Sequence, residues 1–267
     1  MIYCLVQNYN KKSNKTFIGL NIYSYLYYTC IGPGRVHPGS AGHLIMAYLF
    51  LKNQGLANHP VATMKINAKS GKMMQVENCT INNLNLGKGE ISFDYLAKSL
   101  PYPMDTVARI WENKQIETDA LKVIPFMKEF DNESLQVTGL KGNSYLLSID
   151  NIPIGNFTSR ALAKGINLAT FHNTPEYHQA LEIMDLNSKR KNIEAKFRNY
   201  YWVQYDFLYG KGLLFNTTQV ATDTIKANLE SNGWLKVKYG DYEEVRTNRA
   251  GLKNQMRQLV AKNLCNQ

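Results

Sequence analysis

The hydrophobic positions of this chain change period several times, and those changes divide it. Leu44, Ala47, Tyr48 and Leu51 recur at helical spacing, which predicts a helix with one apolar face. Ser40 stands at its expected N-cap, and Gly55 lies just past its expected end near Asn53, positions that capping favours. Residues 61–96 read as strands instead. Val61, Met64 and Ile66, then Met73 to Val76, then Ile81, Leu84 and Leu86, then Ile91, Phe93 and Tyr95 form successive runs, with turns at Ser70-Gly71 and Gly87-Lys88-Gly89.

Residues 104–130 read as helix in one or two pieces. Leu135 and Val137, a turn at Lys141-Gly142-Asn143, and then Tyr145, Leu147 and Ile149 predict a hairpin, with a second turn at Asp150-Asn151. Ser159–Gly165 reads as a short helix stopped by its glycine. From Pro175, well placed at a helix start, Tyr177, Leu181 and Met184 share one face. Ile193, Phe197, Tyr200 and Leu208 continue it past a join near Asn187. Gly210-Lys211-Gly212 closes that stretch. Thr218–Ser231 and Arg246–Asn263 are two further expected helices. The fold class expected is α+β. It comprises an atypical Asn-, Lys- and Tyr-rich segment (1–31), a histidine-bearing loop and helix (32–56), a β-rich region with an intervening helix (57–155) and a helical region (156–267).

The 267 residues, 44% hydrophobic, are enough to bury a core. Lysine and arginine exceed aspartate and glutamate by 31 to 21, a balance that favours acidic partners in general. The charge is spread out, however, and no nucleic-acid-binding motif accompanies it, so nucleic acid is not an expected partner. Lys189, Arg190, Lys191, Lys196 and Arg198 form one basic group. Arg249, Lys253 and Arg257, four apart, form another on one helix face. Both read as solvated helix surface. Cys4, Cys30, Cys79 and Cys265 form no CxxC pair, so neither a zinc site nor a disulfide scaffold is expected. Phe17–Ile31 is apolar but shorter than the roughly 20 residues that span a bilayer. Lys11, Lys12 and Lys15 precede it, yet it is rich in tyrosine and no small-residue cleavage site follows. Neither a membrane span nor a signal peptide is expected, and localisation stays open.

Candidate chemistry concentrates in Gly34-Arg35-Val36-His37-Pro38-Gly39-Ser40-Ala41-Gly42-His43-Leu44-Ile45-Met46-Ala47. A histidine on a tight turn before a helix is well placed to enter an active site. Its near-neutral pKa lets it take a proton from a nucleophile and return it to a leaving group. Paired histidines do not suggest a metal. His37 and His43, like His172 and His178, are six apart, a turn of roughly 240° on a helix. No HExxH motif occurs. His43 is expected to cap or pack against the helix start, and His59, before Pro60, reads as a loop residue. Asp241, Glu243 and Glu244 read as a solvated turn rather than a glycosidase pair. The aromatic residues, Tyr200, Tyr201 and Trp202 among them, suit either a core or a sugar-binding surface.

The His37 stretch resembles the last conserved block of the SGNH/GDSL hydrolases, Asp-x-x-His-Pro followed by a small-residue turn, Gly-His and an apolar helix. Tyr95–Pro103 and Leu162–Ala169 are similar to segments that follow the core in a bacterial branch of that family, and the likeness covers roughly residues 32–260. The resemblance implies a serine ester hydrolase. Its serine, in a Gly-Asp-Ser block, attacks the carbonyl, a glycine and an asparagine bind the oxyanion, and the histidine acts as base. By that likeness His37 is the general base and acid. Gly34 stands where the family has its orienting aspartate, and no Gly-Asp-Ser or Gly-x-Asn-Asp stretch precedes His37. Ser144, in Gly142-Asn143-Ser144, lies in an expected hairpin rather than a strand-to-helix turn.

The expected function is an ester hydrolase of this family in truncated form, inactive alone, with an ester or acylated carbohydrate as substrate. The alternative is a non-catalytic module that binds glycan or protein. No cofactor or metal is implied. Self-association is expected of core surface left exposed by the missing sheet. The family's members are often exported.

Overall fold

A computed structural model describes residues 37–265 apart from Lys88 and residues 109–113, and of Cys265 only the backbone. The sequence-level features at 1–31, Gly34, Cys4 and Cys30 lie outside the described residues. The fold is α+β, and it divides into two compact units, one ending at Tyr177 and the other beginning at His178.

In the first unit, helix α1 (Ser40–Asn53) opens after Gly39, the N-cap, whose carbonyl accepts from the His43 N–H at 2.9 Å. Ser40 is therefore the first helical residue, not the cap. The apolar face is also rotated from the expected one: Ala41, Leu44, Ile45 and Tyr48 are buried, while Ala47 is exposed.

Strands β1 (Ala62–Asn67), β2 (Lys72–Glu77), β3 (Cys79–Leu86) and β4 (Ile91–Ala97) form where alternation placed them. Among the described residues of 104–130, the expected helix shrinks to two short pieces. A 3-10 turn (Glu117–Lys122) and the single-turn α2 (Phe126–Glu129) stand among irregular backbone. Their apolar residues Met104, Ala120, Ile124 and Phe126 pack with Ala41, Leu44, Ile45 and Tyr48 of α1. The spacing that looked helical is that of a loop filling a core, and Pro101, Pro103 and Pro125 limit helix there.

Strands β5 (Glu133–Thr138), β6 (Ser144–Ile149) and β7 (Ile152–Thr158), helix α3 (Ser159–Lys164) and the short β8 (Ile166–Asn167) complete the β-rich part. The expected hairpin between Leu135–Val137 and Tyr145–Ile149 does not exist. β5 instead pairs parallel with β1, Ala62 opposite Glu133, in a sheet of order β2-β1-β5-β8. β6 pairs with β7 across Asp150 and Asn151, whose φ values of 48° and 64° are those of a two-residue hairpin turn. β3 and β4 form a second hairpin. Met64, Ile66, Leu135 and Val137 are buried in one apolar cluster, with residues of both hairpins packed against it. Thr158 caps α3 through its hydroxyl, and Gly165, at φ 96°, stops it.

Helix α4 (Pro175–Trp202) runs without a break at Asn187. It passes into a π-helical segment (Val203–Leu208) and a 3-10 turn (Tyr209–Lys211), and Gly212 ends the run in the left-handed region. Helix α5 spans Gln219–Ala227 and α6 spans Gly233–Cys265, with a kink at Asn248. α6 therefore starts well before the expected Arg246 and contains Asp241, Glu243 and Glu244. The second unit has its own core, in which Val203, Leu208, Ile225, Leu235 and Val245 are each 0% exposed. No helix among the described residues is long and apolar enough to cross a membrane.

Candidate functional site

His37 lies on an exposed bend three residues before α1. The turn into the helix is built from small residues because it is packed tightly: Gly39, Ala41 and Gly42 are all buried. His43 is in the first helical turn and exposed, so it does not pack against the helix start as expected. The described residues contain no group of three or more His, Cys, Asp or Glu side chains arranged to hold a metal. Ser144 opens β6 and is exposed.

α1 is fastened to the chain that follows it by a small polar network. The Tyr48 hydroxyl donates to Glu129 Oε2 at 2.7 Å, and the Lys52 ammonium donates to the same oxygen at 2.6 Å and to the Tyr48 hydroxyl at 2.8 Å. The bond from Lys52 holds the Glu129 carboxyl below its ordinary range, while burial pushes the Tyr48 phenol up. Phe130 meets the Tyr48 ring edge-on at 5.4 Å.

A second group of polar side chains gave no signal in the sequence. Asp131 and Glu133, at the start of β5, are 0% and 1% exposed. Asp131 Oδ1 accepts from the Tyr102 N–H at 2.9 Å, and Glu133 Oε1 accepts from the Tyr95 hydroxyl at 2.7 Å. Their other oxygens have no partner among the described residues. Burial pushes both carboxyls up to about 7, because a charge removed from water without full compensation is costly. Asn167 clamps the backbone around them. Its Oδ1 accepts from the Glu133 N–H at 2.8 Å, and its Nδ2 donates to the Asp131 carbonyl at 2.8 Å. Carboxyls poised near 7 are suited to acid–base work, but this pair is sealed from solvent and acts on the fold.

In the second unit the expected solvated turn is helix. Glu243 pairs with Arg246 at 2.7 Å, Glu244 with Lys196 at 2.6 Å, and Asp241 accepts from Asn199 Nδ2 at 2.6 Å. Arg249 is not part of a simple solvated face. Its guanidinium lies 4.6 Å from the Tyr200 ring centroid and donates to the Tyr201 hydroxyl at 3.2 Å. Lys253 and Arg257 remain exposed and, with Arg190, border an open groove over Met256, Val260 and Leu264.

Residues 181–264 match the family described as the diltiazem deacetylase C-terminal helical domain. The solved structure of a gut microbial diltiazem-metabolizing enzyme is similar to this chain at 45% identity and a TM-score of 0.82. The match covers 88% of this chain and 53% of that one, so the chain spans about half the length of this relative. No curated protein matches.

Proposed function

We propose that this chain is the histidine-bearing part of an ester hydrolase of the SGNH/GDSL type, with His37 as its general base and acid. The reading rests on the likeness to the diltiazem-metabolizing enzyme, which extends over 88% of this chain, together with the helical-domain match at 181–264. The His37-Pro38 turn and the small residues that open α1 supply the local geometry, an exposed imidazole on a rigid helix start.

In this reading a serine outside the present sequence attacks an acyl carbonyl and gives its proton to His37. His37 returns the proton to the departing alkoxide as the acyl–oxygen bond breaks. It then takes a proton from the water that releases the acid and regenerates the serine. The substrate is a small ester or an acylated carbohydrate. Gly34, at the position of the family's aspartate, has no carboxylate side chain. Residues 32–56 serve as the histidine block. The 267 residues alone turn over no ester.

The test has two arms. The purified chain is assayed with nitrophenyl acetate, where no turnover above buffer is expected; turnover that His37→Ala removes would show a complete active site instead. The chain is then fused to the part of the diltiazem-metabolizing enzyme that it does not cover. Deacetylation of diltiazem is expected, falling by about 10³-fold or more in His37→Ala. Activity indifferent to that substitution would dismiss His37 as the base.

A further inference from the structure

Three carboxyl oxygens of the first unit are buried without a hydrogen-bond donor among the described residues: Asp131 Oδ2, Glu133 Oε2 and Glu176 Oε2. Asp131 and Glu133 stand at the start of β5, and Glu176 stands in the first turn of α4. Thr174, fully buried, fixes that turn by accepting from the Tyr177 N–H at 3.2 Å. The three acids sense one another. Burial pushes the Glu133 carboxyl up first, and the charges of Glu176 and Asp131 push it further. Burial and then Asp131 raise the Tyr177 phenol in the same way.

The groups that face this cluster come from four directions. The β3–β4 hairpin brings Tyr95, whose hydroxyl donates to Glu133 Oε1 at 2.7 Å, and the buried thiol of Cys79, which has Lys98 near it. The loop after β4 brings the Tyr102 N–H, already engaged by Asp131 Oδ1. α4 brings Tyr177, with the His172 ring stacked on it at 4.5 Å. The β6–β7 turn brings Asp150, whose charge adds to burial in raising Glu176. No described lysine, arginine or histidine lowers any of the three carboxyls. The Glu133 N–H is taken by Asn167. An ionised carboxylate can only accept, so what these oxygens lack is a donor. The donor the cluster can provide for itself is a proton, which turns an acceptor oxygen into an O–H and removes a buried charge at the same time.

We propose that Asp131, Glu133 and Glu176 form a proton-held latch, which fastens the β3–β4 hairpin and the first turn of α4 to the start of β5 while the carboxyls hold protons and loosens both as they ionise. In the closed latch Glu133 keeps the bond from Tyr95 without carrying a charge into the interior. On opening, Asp131 and Glu133 release their protons to solvent, and water takes over the solvation that no cation of the cluster provides. Glu176 is half-buried and lies where the helix macrodipole favours its charged form. It therefore ionises ahead of the other two, and its charge helps to keep the proton on Glu133. The apolar cluster of Met64, Ile66, Leu135 and Val137 does not depend on these protons, so the opening is local and the sheet persists. The latch stands whether or not the hydrolase reading does.

The test is native-state hydrogen exchange of the full chain between about pH 4 and about pH 9, corrected for base catalysis of exchange. Opening at the amides of Tyr95, Glu133 and Tyr177 is expected to rise by roughly ten-fold per pH unit for each carboxyl released, up to about pH 7, and then to level off. Met64 and Ile66 in β1 should stay protected throughout. The Asp131→Asn, Glu133→Gln double variant keeps the neutral shape and should abolish the rise. Glu176→Gln removes only the neighbouring charge, so its rise should level off at a lower pH. An infrared band of protonated carboxyl is expected in the unaltered chain at about pH 6 and should shrink in Glu133→Gln. Three results would overturn the proposal: absence of that band, a rise in exchange that the double variant retains, or protection lost equally in β1, which would mark unfolding of the whole unit. The infrared band and Glu176→Gln decide the matter even if the double variant does not fold.

Discussion

In the unit ending at Tyr177, Asp131 and Glu133 are buried with one oxygen each left without a partner among the described residues. In the unit beginning at His178, the buried amide Gln204 is satisfied at both ends, and Glu243 and Glu244 sit in ion pairs nearer the surface. The contrast shows two ways of using polar groups. In the first unit they place a proton-dependent cost inside the fold. In the second they support packing and fix individual rings, so stability there follows the apolar core.

The sharpest way to separate the two is to remove core volume from one of them. Leu235 is fully buried among Val203, Ile225 and Val245, and Leu235→Ala is expected to cost about 2–5 kcal/mol. Hydrogen exchange should show the loss in α4–α6, with β1 and β5 still protected; equal loss in both units would mean that they unfold as one body.

The second measurement concerns pH. Asp131 and Glu133 have carboxyls raised in the folded state to about 7. Their contribution is therefore fully present below the unfolded carboxylate range near 4 and is lost as pH rises through about 7. Stability to thermal unfolding should fall over that interval by several kcal/mol, and the Asp131→Asn, Glu133→Gln double variant should flatten the slope. A slope that persists in the variant would place its origin elsewhere.

The smallest effect is expected at Arg249. Lysine keeps the charge but loses the planar stack on Tyr200 and Tyr201. Arg249→Lys should cost about 0.5–1 kcal/mol in chemical denaturation, and a larger loss would show that the guanidinium carries more of the second unit than its ring contacts explain.

What the sequence made legible depended on how local the cause was. β1 to β4 and α3 were readable because their apolar spacing and the glycines that bound them are local signals. β7 was missed because Pro153 and Gly155 interrupt its pattern, and its pairing with β6 satisfies the backbone regardless. The first part of α6 was misread because Gly240-Asp241 looks like a turn. A side chain at Gly240 would meet nothing nearby, so this glycine is a tolerated helical residue rather than a stop. The β5 partner was out of reach because parallel pairing with β1 is a long-range choice. Of the candidate chemistry, His37 was visible by motif. Asp131 and Glu133 were not, since an ordinary Asp-Asn-Glu run carries no sign of its burial. Phe215, at a left-handed φ of 54°, is held by Gln204, eleven residues away, and had no local signal either.

The parallel pairing of β1 with β5 also bears on how the chain reaches this state. The β3–β4 and β6–β7 hairpins close short loops and can form as soon as their residues are available. Ala62 opposite Glu133 requires the intervening chain to be closed into a long loop first, an entropic cost that only the later packing of the apolar cluster offsets. Asn167 ties the backbone at Asp131 and Glu133 across separations of 36 and 34 residues, a shorter closure than that of β1 with β5. Loop closure thus favours an order of assembly in which the hairpins come early, the asparagine clamp next and the central strand pair last.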